Sequence, residues 1–160
     1  MKKDIRIHEN DYIFKYRVSG AIVVDNKLLT VQIMDNGFYC LPGGHVMQGE
    51  LSYDAIIREI KEEVSCDVLD NSLFAIAENI FERKDNKIVQ ELGMYYFIKP
   101  SSDINLEDRI FIETDDKGPK KLEFKWVDLN DLDNINFKPK FLVEQIKNMD
   151  KDLKYYSYKK

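Results

Sequence analysis

The chain has 160 residues, of which 44% are hydrophobic, 33% charged and 12% aromatic. That composition suits one compact globular domain and excludes a disordered or collagen-like chain. The net charge is -5, with 24 Lys and Arg against 29 Asp and Glu, and the cations are scattered, so no basic face for long DNA or RNA is expected. No stretch approaches the roughly 18 apolar residues of a membrane span, and Met1-Lys2-Lys3-Asp4-Ile5-Arg6 lacks the apolar run of a signal peptide. A soluble cytoplasmic protein with no membrane partner is the expectation. An acidic protein that takes a phosphorylated substrate must offset the mutual repulsion, and a divalent cation held by carboxylates does so economically. Cys40 and Cys66 lie apart among apolar neighbours and are expected as small core residues rather than a disulfide or zinc pair.

Tyr12 to Val18 and Gly20 to Val24 are rich in β-formers, Asp25-Asn26 signals a turn, and Lys27 to Met34 resumes the strand pattern. This predicts extended chain leading into a hairpin. Asp35-Asn36-Gly37 marks a second turn before Phe38 to Leu41, and Pro42-Gly43-Gly44 predicts a tight loop. The period then changes to that of a helix over Ser52 to Val64, with Ser52 as its N-cap. Leu73 to Phe81 and Ile88 to Ile98 flank Lys84-Asp85-Asn86-Lys87 and predict a further hairpin. Pro100 to Pro119 reads as a long polar loop around a short apolar Ile110-Phe111-Ile112, with a turn at Thr114 to Gly118, and loops of this length often serve a binding site. Leu122 to Val127 is one more strand, and Pro139 opens a last helix through Met149 in which Phe141, Leu142, Ile146 and Met149 share a face. The charged tail from Asp150, with three tyrosines, is expected to fray or to cap the core. Without repeats or linkers, these strands and two helices share one core in an α/β arrangement.

On the Ser52 to Val64 helix, at about 100° per residue, Tyr53, Ile56, Ile57, Ile60 and Val64 fall on one face, which is predicted to be buried. Glu59, Glu62 and Glu63 fall within a neighbouring arc, with Ala55 among them and Arg58 at its edge. Like charges three and four residues apart each cost a few tenths of a kcal/mol on an exposed helix. Hard divalent cations take oxygen ligands and are commonly held by a few carboxylates, water and substrate phosphate, so the cluster suits a metal that bridges to a phosphorylated ligand. A solvated acidic face is the alternative.

From Gly44 the chain reads GHVMQGELSYDAIIREIKEEVSC, which fits Gly-x5-Glu-x7-Arg-Glu-apolar-x-Glu-Glu through Gly44, Glu50, Arg58, Glu59, Ile60, Glu62 and Glu63. This resembles the signature of the Nudix (MutT-like) hydrolase family. A chance match of the fixed Gly, Arg and four Glu is on the order of one in 10⁵ at this chain's composition. The motif covers 23 of 160 residues, and the likeness extends more loosely to Leu41-Pro42-Gly43-Gly44-His45 and to Leu122-Glu123-Phe124-Lys125-Trp126-Val127. The departure is Ser65, where the family pattern has glycine before a final apolar residue, here Cys66. Glycine suits a left-handed helix end, so serine there costs up to about 1 kcal/mol if that conformation is kept.

The resemblance implies an α/β Nudix fold, an α/β/α sandwich with a mixed β-sheet and a loop-helix-loop catalytic motif, spanning 1–160 as a single domain. It implies Mg²⁺, or Mn²⁺, held by Glu59, Glu62 and Glu63 with the carbonyl of Gly43. Arg58 would fix the carboxylates by charge-assisted hydrogen bonds, Gly44 would support the site, and Glu50 would pair with Arg58 or reach the metal through water, a surface loop charge being its alternative. The implied reaction is hydrolysis of a diphosphate linkage in a nucleoside diphosphate derivative, such as a nucleoside triphosphate or nucleotide sugar. One carboxylate would position or deprotonate the attacking water. Glu59 is a candidate base. Among acids outside the signature Glu123 is the first choice, with Glu91 and Glu113 its rivals.

His45 is more readily structural than phosphate-binding. Trp126 and Phe124 are read as core before base-stacking residues. Arg17 and Arg83 are noted as charges able to reach substrate but are not placed in the site. The partner is a small nucleotide derivative, and a homodimer is compatible. The rival reading is a catalytically silent nucleotide-binding or sensor protein of the same fold, which the loss of a signature glutamate would favour. None is lost. Isomerisation of an isoprenoid diphosphate would need a further acid and base over an apolar pocket, for which two isolated cysteines are poor candidates.

Overall fold

The computed structural model describes residues 1–115 and 118–160, so Asp116 and Lys117 of the predicted turn at Thr114 to Gly118 lie outside the described residues. Among the described residues nine strands form the sheet. The short β1 (Arg6–Glu9) pairs with β2 (Tyr12–Val24), and Asp25 and Asn26, with φ of 51° and 63°, turn the chain into β3 (Lys27–Ile33). Two successive positive φ angles give a hairpin whose turn matches the right-handed twist of its strands. The strand β4 (Gly43–His45) leads into α1 (Ser52–Val64), and a long hairpin follows, β5 (Val68–Glu82) and β6 (Ile88–Pro100). Then come β7 (Arg109–Asp115), β8 (Gly118–Asp128), two 3-10 turns at Leu129–Asn134 and Lys140–Leu142, α2 (Val143–Lys147) and β9 (Lys154–Lys159).

The strand order is β7-β8-β3-β2-β6-β5-β9, with β2–β6 and β5–β9 parallel and the other pairs antiparallel. The hinge of this mixed sheet is narrow. β2 touches β3 only at Val23↔Leu28 and Val24↔Lys27, because over Arg17 to Ser19 the same edge of β2 is taken by β4. The two halves therefore part, and the opening between them becomes the site.

Period-2 alternation assigns each strand residue to a face. Val18, Ile22, Leu29, Val31, Phe124 and Trp126 pack on the α1 side with Ile56, Ile60 and Val64. Ala21, Leu28, Phe74, Phe97 and Val127 face the other way, where Leu132, Leu142, Val143 and Ile146 cover them. These helices on both faces make an α/β/α sandwich, as the family resemblance implied.

Phe38 to Leu41 joins the sheet through single bridges, Tyr39 to Phe137 and Cys40 to Val31. Several local expectations are revised. Ile110-Phe111-Ile112 belongs to a strand rather than a loop, since β8 offers it a complete antiparallel partner. The last helix is only five residues after its 3-10 turn, and Met149, with φ 49°, ends exposed instead of sharing the buried face. The tail neither frays nor merely caps. It adds β9 to the edge of β5, held at its root by buried Gln145, whose Nε2 lies 2.9–3.1 Å from the carbonyls of Phe74, Asp150 and Asp152 and whose Oε1 accepts from the Tyr156 hydroxyl at 2.8 Å. Such a side-chain staple leaves no periodic trace in sequence.

Candidate functional site

The cap of helix α1 lies one residue before the predicted one. Leu51 is the N-cap and makes no side-chain cap bond, while the hydroxyl of Ser52 lies 2.6 Å from that of Tyr96. At the other end Ser65 takes the left-handed conformation, φ 60° and ψ 31°, and its N–H donates to the Lys61 carbonyl. Between these ends the buried stripe is Ala55, Ile56, Ile60 and Val64, and Tyr53 is 51% exposed. The helix is thus rolled toward its carboxylates. On the wheel Glu59 and Glu63 fall inside the arc bounded by Ala55 and Val64, whereas Glu62 falls outside it and is exposed.

Two glycines let β4 pass between β2 and this face. A Cβ on Gly43 would lie 2.1 Å from the Val18 carbonyl oxygen, and one on Gly44 would lie 2.4 Å from the Glu59 carboxylate. Any side chain at Gly44 would displace the acid. The N–H of Gly43 donates to Glu63 Oε2 at 3.3 Å.

Arg58 organises the remaining acids. Its Nε and Nη2 bind both oxygens of Glu50, at 2.8 and 3.0 Å, Nη1 donates to Glu59 at 2.8 Å and to Glu62 at 3.3 Å, and Nη2 also donates to the His45 carbonyl at 3.0 Å. Glu50 accepts the Met47 N–H as well. The bond from Arg58 lowers the Glu50 pKa, and these acids raise that of Arg58. Glu59 moves the other way, up, because burial outweighs its bond to Arg58. Burial and the charge of Glu59 push Glu63 up to about 8.

A cavity of about 180 Å³ opens beside these groups, lined by Gly43, Gly44, Glu59 and Glu63 on one side. Glu113 and Lys120, cross-strand neighbours on β7 and β8, line it with Leu122 from the other half of the sheet, and Arg17 of β2 forms its floor. Glu123 is not brought to this cavity. It alternates with Leu122 and Phe124, so it lies on the far face of β8, and among the described residues the acid outside the signature that lines the cavity is Glu113. Glu91 stands opposite Lys15 on β6, outside the lining. Lys120 and Arg17 were not placed in the site from sequence. Alternation would have put Lys120 with Leu122, but only once the register of β7 against β8 was known.

The other singled-out residues are structural. Burial lowers the His45 pKa to about 3, so its 3.7 Å approach to Asp4 is not an ion pair, and it does not line the cavity. Trp126 is core, with its indole N–H donated to the Asn105 carbonyl at 3.2 Å, and Phe124 is fully buried under the Arg109 guanidinium. Arg83 pairs with Asp85 in the β5–β6 hairpin. Cys66 is buried, and burial pushes the Cys40 thiol up to about 11.

The donor set is chemically suited to a hard divalent cation. Glu59 and Glu63 are half-buried oxygen donors, the charge of Glu59 helps to raise the Glu63 pKa, and among the described residues Glu63 has no ion-pair partner. Among the described residues no group of three or more His, Cys, Asp or Glu side chains is placed to hold a metal ion by itself, and Mg²⁺ commonly completes its shell with water and substrate phosphate.

A NUDIX domain model matches residues 15–150, and the chain belongs to that family. It is accordingly an enzyme, a pyrophosphohydrolase. It is 27% identical over 124 residues to the uncharacterized Nudix hydrolase YvcI of Bacillus subtilis (strain 168), covering 77% of this chain and 72% of that protein. A local match of 47% identity over 49 residues, 29% of each chain, joins it to an ADP-ribose pyrophosphatase of Methanocaldococcus jannaschii. In fold it is similar to the mutator MutT protein of Bacillus halodurans, with TM-score 0.69 at 14% identity over 91% of this chain and 90% of that one. The MutT NUDIX hydrolase of Burkholderia pseudomallei gives TM-score 0.58 at 22% identity over 74% and 86% of the two chains.

Proposed function

We propose that the 160 residues act as one domain that hydrolyses the diphosphate linkage of a small nucleotide derivative, a nucleoside triphosphate or nucleotide sugar being the leading classes, with Mg²⁺ or Mn²⁺ as cofactor. The observation that carries this reading is the meeting of Glu59, Glu63, Gly43 and Gly44 with Glu113 around one cavity. Glu59 and Glu63, with the carbonyl of Gly43 and with Glu62 from the rim, would hold the metal. When bound, the metal supplies charge neutralisation at the phosphate oxygens and a lowered pKa for bound water. Arg58 keeps Glu59 and Glu62 in place while Glu50 keeps Arg58 in place. Glu113, which faces the signature acids across the cavity, accepts a hydrogen bond from the attacking water and orients it.

Product release from a panel of nucleoside triphosphates, nucleotide sugars, dinucleotides and coenzyme A, with and without Mg²⁺, tests this. Turnover of one class is expected, and Glu63→Gln should cut it by about 10²-fold or more while leaving the fold intact, because the half-buried group it replaces already resists ionisation. Full activity in folded Glu63→Gln, or with metal chelated, would remove the metal role. A silent, folded wild type across the panel would favour the binding-protein reading.

A further inference from the structure

Among the described residues Arg17 is an ion without a counter-ion. Among the described residues it forms no ion pair or hydrogen bond, its Nε is buried without a partner, and it nonetheless lines the cavity. The carboxylates whose charge acts on it are Glu91 on β6 and Glu63 on α1, and among the described residues neither forms an ion pair with it. Burying a guanidinium costs the fold unless some group completes its hydrogen bonds. Lys120 repeats the pattern from the opposite wall, half-buried at the cavity and making no hydrogen bond or ion pair among the described residues, unlike its neighbour Lys121, which turns to the other face and pairs with Asp35. The site thus has two poles. Glu59 and Glu63 form a carboxylate pole fit for a cation, and Arg17 and Lys120 form a cationic pole with unused donors.

We propose that Arg17 and Lys120 bind the phosphate oxygens of the substrate that are turned away from the carboxylates. The inference rests on the hydrolase reading for the identity of the anion, and adds the two residues that seat it. Arg17 offers a planar fork to two oxygens of one phosphate, while Lys120 offers a movable point charge at the opening. A cavity of about 180 Å³ is smaller than the few hundred Å³ of a site that engulfs a whole ligand of nucleotide size. It holds the diphosphate and leaves base and sugar to the rim. These cations sit apart from the metal-side carboxylates, so they act chiefly on binding.

The test titrates the full chain with inorganic pyrophosphate at fixed Mg²⁺ by calorimetry, comparing wild type with Arg17→Met, Arg17→Lys, Lys120→Met and Lys121→Met. Loss of either cavity cation should weaken pyrophosphate about tenfold or more, Arg17→Lys should recover part of the loss, and Lys121→Met should bind as wild type does. With any nucleotide the enzyme turns over, KM should rise by a similar factor in Arg17→Met and Lys120→Met while kcat changes less. Unchanged pyrophosphate affinity in folded Arg17→Met overturns the assignment. Should Arg17→Met not fold, unchanged affinity in Lys120→Met overturns it alone, as does a wild type that binds no pyrophosphate. A wild type that hydrolyses nothing yet binds pyrophosphate through both residues sinks the hydrolase reading and leaves this one standing.

Discussion

At the scale of single residues, the chemistry divides between acids that are paired and acids that are not. Glu50 shares a two-pronged bond with Arg58 and takes a backbone N–H, so it is a fully satisfied carboxylate. Glu63 receives one long bond from Gly43 and stays in want of a cation. Arg58 is the common element, since one guanidinium reaches Glu50, Glu59, Glu62 and the His45 carbonyl. Lysine could not serve all four, because a point charge lacks the fork. Arg58→Lys is therefore expected to destabilise the fold by about 2 kcal/mol and to lower turnover further than stability alone explains, because Glu59 and Glu62 lose their fixed positions. Denaturation of Arg58→Lys, Glu50→Gln and the double variant checks the first part. A cycle with no coupling between the two sites would show that the bidentate pair does not hold this loop to the helix.

At the scale of elements, α1 was legible in sequence and its roll was not. Helical period, length and the spacing of Arg58, Glu59, Glu62 and Glu63 were readable, and the bounds Ser52–Val64 agree with the observed helix. The predicted buried face runs through Tyr53 and Ile57, whereas the observed stripe is Ala55, Ile56, Ile60 and Val64, with half-buried Glu59 and Glu63 inside its arc. Apolar residues alone defined the predicted face. A site helix buries acids as well, and the small Ala55 among three glutamates was the one sign of it. The C-terminal end repays the sequence reading. Ser65 departs from the glycine of the family pattern yet keeps the left-handed conformation that glycine favours. Ser65→Gly should accordingly stabilise the protein by up to about 1 kcal/mol, raising the melting midpoint by about 2–4 °C with activity unchanged. A lower midpoint would mean that Ser65 earns its place by a contact other than its backbone angle. Glu123 and Glu113 make the opposite lesson. Both are acids on strands, and only the register Glu113↔Lys120 and the burial of Leu122 decide which of them faces the cavity.

At the scale of the whole molecule, the site exists because the sheet divides. Arg17 comes from β2, Gly43 from β4, Glu59 and Glu63 from α1, and Glu113 and Lys120 from the β7–β8 pair, so these groups meet only in the folded chain. The signature announced the middle of this set, being one continuous segment. The flanking walls depend on long-range pairing that no local pattern encodes. An ion that requires groups so dispersed binds the native state and not the unfolded one, and ligand binding of that kind stabilises the fold by mass action. With Mg²⁺ at about a hundred times its dissociation constant the gain is about 2.7 kcal/mol, or about 5–10 °C in the melting midpoint for a chain of this size. Chelation should reverse it. Glu63→Gln separates the two contributions, because it removes a half-buried acid that lacks a counter-ion together with one ligand of the cation. Its metal-free midpoint should equal or exceed that of the wild type, and its response to Mg²⁺ should nearly vanish. A wild-type midpoint indifferent to Mg²⁺ and Mn²⁺ would show that the carboxylates of α1 do not take up a cation, and a Mg²⁺ response surviving in Glu63→Gln would move the metal toward Glu59 and Glu62 on the Arg58 side of the helix.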